Sequence, residues 1–288
     1  MRRALWRVRM RILTQNMIQK YIDELYASEH SASTIQKYRR DLRRFYCCLD
    51  ESRQVDKQTV IAYKNDLLAH YAPSSVNSML VALNQLFAFL GWDELRIRLL
   101  RCQKRVFCNF EQELTRRDYE QLVQAARARS NLRLAWLLQT ICATGIRVSE
   151  LRYITVEALR RGRADIRCKG KERVIFIPRS LSRPLLGYCR EAQIASGCVF
   201  RSKSGQALDR SNIWREMKRL CTDAGVPPEK VFPHNLRHLF ARTFYRTEKD
   251  LAGLADILGH SSVDTTRIYM ISSGEEHARK IERLHLTL

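Results

Sequence analysis

The chain has 288 residues, 45% of them hydrophobic and 28% charged, with a formal net charge of +21 and a pI near 10.0. These proportions are ordinary for a globular protein of one large or two modest domains, whereas the charge points to a polyanionic partner. The composition excludes a membrane span, because no run of about eighteen apolar residues occurs. It also excludes a signal-peptide core, because Arg interrupts every apolar run of MRRALWRVRMRIL.

The basic excess is shared. Residues 1–110 carry +9 (19 Lys+Arg against 10 Asp+Glu) and the remainder carries +12 (32 against 20), which fits a clamp with two basic surfaces better than a folded body with a basic tail. A generally basic surface is the plainer alternative. Cysteines at 47, 48, 102, 108, 142, 168, 189, 198 and 221 are odd in number and form no CxxC pair. They argue for reduced thiols in a cytosol, not a zinc site or a disulfide framework.

Residues 1–13 read as a basic segment whose first ten residues are expected to be unstructured, and residues 14–100 as a helical bundle. Ile18, Tyr21, Ile22 and Leu25 make one apolar stripe; Ile35, Tyr38, Leu42, Phe45 and Leu49 make a second, with Ser33 or Thr34 expected to cap its helix. The other faces of that second helix carry Lys37, Arg39, Arg40, Arg43 and Arg44 with only Asp41 among them. Such a run is often just a solvated face, but its self-repulsion favours a face for phosphates. Val60, Tyr63, Leu67 and Leu68 mark a third helix. Pro73 breaks it, and Ser74 or Ser75 opens a fourth through Val76, Leu80, Leu83, Phe87 and Leu90 to Gly91.

Residues 101–113 show no period and read as a basic linker. Thr115 with Asp118 is a capping signature that starts a second domain, 114–288. A long apolar helix is expected through Leu134, Trp136 and Ile141, broken at Gly145. Short strands follow at 164–168 and 173–178, around Lys169-Gly170-Lys171, and the rest reads as helical apart from turns at 202–205 and 227–228. The expected fold is mainly α with a small β-sheet: a helical bundle, then a mixed α/β domain.

The second domain concentrates one kind of chemistry. Arg147 lies in ATGIRVSEL, with Glu150 one turn on to brace it. His234 and Arg237 lie in PHNLRH, where Pro233 favours a helix start and the spacing of three puts both on one face. His260 follows Leu258-Gly259, and Tyr269 closes LGHSSVDTTRIY. Singly, each has a bland reading: a surface ion pair, a capped helix, a structural imidazole, a buried phenol. Together, two guanidiniums, a lysine, two imidazoles and a phenol suit the binding of a phosphodiester and attack on its phosphorus. No carboxylate cluster suited to Mg²⁺ stands out, so no metal or other cofactor is expected.

The stretches ATGIRVSEL, HNLRH and LGHSSVDTTRIY resemble, in order and spacing, the signature boxes of the tyrosine recombinase (phage integrase-like) family, over residues 114–275. Residues 14–100 resemble that family's core-binding domain more loosely. The length resembles compact Xer-type or mobile-element integrases, with no room for an added arm-site-binding domain before residue 14. The resemblance implies that Arg147 and Arg237 hold the scissile phosphate and that His260 donates a further hydrogen bond. It implies that Tyr269 forms a 3′-phosphotyrosine, His234 takes the phenolic proton, and Lys169 protonates the leaving 5′-oxygen. Lys171 is the alternative for that last role. The same resemblance implies metal- and ATP-independent strand exchange by a homo-tetramer on two double-stranded DNA sites, with accessory proteins as further partners, no membrane, and a cytoplasmic, nucleoid-associated location. It also implies that the tail 275–288, with Ala278, Ile281 and Leu284 on one helical face, docks on a neighbouring copy; folding back on its own domain is the alternative.

Within this chemistry, integration and excision of a mobile element is the expectation. Xer-like resolution of chromosome dimers and type IB topoisomerase-like strand relaxation are the alternatives. A non-enzymatic DNA-binding regulator and a metal-dependent nuclease fit the residues less well.

Overall fold

A computed structural model describes residues 11–102, 113–168, 171–202, 204–259, 265–266 and 282–283. The expectations for the first ten residues, for most of the 101–113 linker, for Lys169, His260 and Tyr269, and for the tail beyond 275 lie outside the described residues, apart from 282–283. The chain divides into two compact units, Met1–Lys104 and Arg105–Leu288. Among the described residues no helix is long and apolar enough to cross a membrane.

The first unit begins with β1 (Arg11–Ile12), then α1 (Gln15–Ala27), α2 (Ala32–Cys48), β2 (Gln54–Val55), α3 (Lys57–His70) and α4 (Pro73–Phe89). β1 pairs antiparallel with β2, Arg11 opposite Val55. Most of the stripes expected from periodicity is buried: Ile18, Tyr21, Ile22 and Leu25 on α1, Ile35, Leu42 and Phe45 on α2 with Leu49 after it, and Val60, Tyr63 and Leu67 on α3, whereas Tyr38 is half-buried and Leu68 is exposed. Each such apolar side chain removed from water stabilises the bundle by about 1.5–3 kcal/mol before entropy is counted. Two helix starts differ from expectation. Ser31, not Ser33 or Thr34, caps α2 by accepting from the Thr34 N–H, because the chain is still extended at 31 and already helical at 33. Pro73 opens α4 from its first turn, where its missing N–H costs nothing, instead of breaking the chain ahead of Ser74. The extended chain leaving this unit is pinned to α4 by two asparagines: Asn84 exchanges both hydrogen bonds with Ile97 (2.9 and 3.0 Å), and Asn77 does the same with Leu100 (2.9 and 2.7 Å).

The second unit contains α5 (Arg116–Ala128), α6 (Leu132–Thr144), a 3-10 segment Val148–Tyr153, α7 (Val156–Arg161), β3 (Arg163–Cys168) and β4 (Lys171–Phe176). There follow α8 (Arg179–Glu191), α9 (Arg210–Arg219), α10 (Cys221–Ala224), α11 (Pro233–Glu248) and α12 (Leu251–Leu258). Thr115 and Asp118 make the expected reciprocal capping box at the start of α5. The single long helix expected beyond it is two. Ser130 takes a left-handed φ of 54°, and the Asn131 side chain caps α6 by accepting from the Leu134 N–H at 3.1 Å. α6 is the apolar spine, with Leu134, Leu137, Leu138 and Ile141 all buried. β3 and β4 form an antiparallel hairpin from Arg163–Phe176 to Cys168–Lys171; β3 starts one residue before the expected strand, and β4 starts and ends two residues before its expected counterpart.

A basic cleft and a candidate phosphate-binding site

On α2 the run of basic residues is not the set of unopposed charges that the sequence indicates. Asp41 is buried beneath them. It accepts from Lys37 Nζ at 2.6 Å and pairs with Arg40 at 3.4 Å. Lys37 also donates to the Ser78 carbonyl at 2.9 Å, and Arg44 stacks over the Tyr71 ring at 4.7 Å while bonding its hydroxyl. Lys37, Arg40, Asp41, Arg44, Tyr71, Ser75 and Ser78 line a cleft of about 520 Å³. Arg39, Arg40 and Arg43 are the exposed members of the run, and Lys37 and Arg44 are half-buried.

In the second unit, Gly145 ends α6 in the left-handed conformation (φ 62°), and a Cβ there would lie 2.5 Å from the Phe240 ring. Only glycine allows both the turn and that approach. The turn puts Arg147 at the head of the 3-10 segment, where Glu150 braces it as expected: Oε2 accepts from the Arg147 N–H at 2.9 Å and Oε1 from Nη1 at 3.0 Å. Burial by itself would raise the Glu150 carboxyl, but the Arg147 N–H and the guanidiniums of Arg173 and Arg147 outweigh it and hold the group below its usual range. Glu150 is therefore an anion, shared between Arg147 and Arg173, its second guanidinium partner.

Pro233 is the first residue of α11, and places His234 and Arg237 in its first turns. Arg237 is only 2% exposed, and donates to the carbonyls of Gly145 and Leu258, the latter at 2.7 Å. Arg147 Nη2 donates to the next carbonyl, Gly259, at 3.2 Å, and Arg173 Nη1 to the preceding one, Ile257, at 2.7 Å. Three guanidiniums from three elements thus take three consecutive carbonyls at the C-terminal end of α12, where the helix dipole is negative. The turn they grip ends at Gly259 (φ 61°), one residue before His260.

His234 is exposed, and its ring meets that of His238 edge-on at 4.5 Å between centroids. The protein around the His234 ring, with the guanidiniums of Arg237, Arg210 and Arg147, lowers its pKa. Its imidazole is therefore neutral at neutral pH and able to accept a proton. His238 is half-buried; burial, His234 and Arg237 pull it to about 4.

The structure thus brings Arg147, His234 and Arg237 to one place, with Lys169, His260 and Tyr269 outside the described residues. It adds Arg173 and Arg210, which sequence reasoning missed. Arg173 carried a readable signal, since on β4 it alternates in phase with the buried Ile175 and Ile177 and so faces inward. Arg210, the first residue of α9, carried none.

Residues 112–276 match the phage integrase family, and residues 14–94 match the phage integrase N-terminal SAM-like domain. Tyrosine recombinase XerD of Vibrio cholerae serotype O1 is 27% identical, with 94% of this chain and 95% of that protein covered. Tyrosine recombinase XerD of Xanthomonas campestris pv. campestris is 30% identical over 93% and 91%. The crystal structure of a lambda integrase tetramer bound to a Holliday junction has the same fold, with a TM-score of 0.72, 18% identity, and 88% of this chain and 76% of that one covered. With more than half its length matched and its arginines gathered at one turn, the chain belongs to the phage integrase family, the tyrosine recombinases.

Proposed function

We propose that the chain is a site-specific recombinase that cuts and rejoins double-stranded DNA, with residues 14–100 binding the duplex and residues 114–288 carrying the chemistry. In the proposed step the Tyr269 phenol oxygen bonds to phosphorus as the bond to the 5′-oxygen breaks. His234 takes the phenolic proton and Lys169 supplies one to the leaving oxygen. Arg147 and Arg237, with His260, hold the non-bridging oxygens as phosphorus becomes five-coordinate. The bond energy stays in the phosphotyrosine, so the reverse attack by a 5′-hydroxyl reseals the strand without ATP.

The observation that carries this reading is the convergence of Arg147 and Arg237 on adjacent carbonyls beside a neutral His234. A tetramer on two DNA sites is the proposed working form, as in the lambda integrase complex with a Holliday junction. Work on DNA puts it in the cytoplasm, at the nucleoid. The net charge of +21 favours integration and excision of a mobile element. Likeness to XerD over nearly the whole chain favours a second reading, chromosome dimer resolution.

The test is a nicked suicide substrate resolved on a denaturing gel. The wild-type chain is expected to form a covalent adduct, and Tyr269→Phe to form none while binding DNA as before. An adduct that persists in the variant removes Tyr269 as nucleophile.

A further inference from the structure

Arg173 is a cation at this site that the proposed chemistry leaves unused. Its side chain is 12% exposed, against 39% for Arg147, and its described hydrogen bonds go to Glu150 and to the Ile257 carbonyl. Its Nη2 bonds Glu150 Oε2, its Nη1 bonds the Ile257 carbonyl, and its Nε is buried with no hydrogen-bond partner among the described residues. A Cβ on Gly259 would lie 2.4 Å from Arg173 Cδ, so the guanidinium lies directly against the turn that leads to His260. Burial lowers the Arg173 pKa, and Glu150 opposes that fall.

The charges explain what this arrangement does. One carboxylate lies between two guanidiniums, and each of its oxygens is committed to a different one. With Arg173 removed, Glu150 Oε2 keeps the Arg147 backbone N–H but has a lone pair open to the Arg147 guanidinium. A carboxylate and a guanidinium then favour the bidentate fork, which is the stronger geometry. Arg147 would be turned into Glu150 and its charge neutralised, leaving less for a phosphate.

We infer that Arg173 is a positioning residue for strand cleavage: by dividing Glu150 and gripping the end of α12, it keeps the Arg147 guanidinium turned outward and its charge less fully offset by the carboxylate. The inference rests on the recombinase reading above. Arg173 touches no reacting atom in this scheme; it acts through Arg147.

The experiment compares wild type, Arg173→Gln and Arg173→Lys for single-turnover cleavage of nicked suicide substrates at saturating protein, with DNA affinity and thermal unfolding measured alongside. Three substrates are used: the ordinary phosphodiester, one with a neutral methylphosphonate at the scissile position, and one with a 5′-bridging sulfur as leaving atom. Arg173→Gln is expected to bind DNA within about threefold of wild type and to cleave the phosphodiester about 10²-fold more slowly. On the methylphosphonate, which has less charge to neutralise, the deficit should shrink to less than about tenfold. Arg173→Lys, which keeps the charge but not the fork, should fall between and serves if the glutamine variant does not fold.

Rescue by the sulfur leaving group but not by the methylphosphonate would overturn the inference, because Arg173 would then be serving leaving-group protonation. An equal deficit on all three substrates would mark a merely structural role and overturn it too, as would wild-type rates in both variants. Failure of the wild-type chain to form any adduct is a different outcome, and sinks the recombinase reading itself.

Discussion

Arg147 and Arg237 donate to adjacent carbonyls, Gly259 at 3.2 Å and Leu258 at 2.7 Å, although they lie far apart in the sequence. The shared turn brings two cations together that would otherwise repel, by giving each a fixed acceptor at a helix C-terminus. Arg237 is buried and Arg147 is partly exposed.

The first prediction concerns that turn. Gly259→Ala introduces a Cβ against Arg173 and forces a left-handed φ of 61° on a residue that disfavours it. Loss of about 1–2 kcal/mol of stability in urea unfolding is expected, together with slower cleavage. Unchanged stability and rate would show that the α12 turn does not hold the arginines.

A second prediction follows from His238, held at about 4 while an unfolded histidine titrates near ~6.5. Between those values the unfolded chain takes up a proton that the native chain refuses. Stability is therefore complete above the unfolded pKa and falls as pH drops towards 4, by up to about 3 kcal/mol in all. His234, lowered for related reasons, adds a slope of the same sign. Denaturant unfolding of wild type and His238→Gln at about pH 7 and about pH 5 checks this: the variant should lose much of the acid-side decline. An identical decline in both would place its origin elsewhere.

Third, the members of the α2 run should separate by role. Arg43→Ala should weaken DNA binding and lower the slope of log affinity against log salt by about one. Lys37→Ala should leave the slope nearly unchanged but destabilise the first unit by about 1–3 kcal/mol, because it strips a partner from buried Asp41. Equal salt slopes for wild type and Arg43→Ala would show that this face does not contact phosphates.

Local patterns were readable and distant partnerships were not. The apolar stripes of α1 to α4, the Thr115–Asp118 capping box, the β3–β4 hairpin, the Gly145 helix end and the Glu150 brace on Arg147 all depend on residues a few positions apart. What escaped depends on folding. The sequence could not show that Asp41 lies buried beneath its basic neighbours, because a helix spacing gives the face but not what covers it. Nor could it show that Arg173 reaches Glu150 and Ile257, since two different elements must meet first. Capping failed by small shifts, at Ser31 and Pro73, where several adjacent residues were chemically suited and only the backbone conformation chose between them.

The most direct test of the account is a double-mutant cycle on cleavage with Arg147→Lys and Arg237→Lys, read as single-turnover adduct formation on the nicked substrate. If both guanidiniums serve one phosphate as a unit, each single variant should lose about 10²–10³-fold and the double should be no more than about tenfold worse than the poorer single. Losses that multiply in full would contradict a shared phosphate and leave the two arginines with separate tasks.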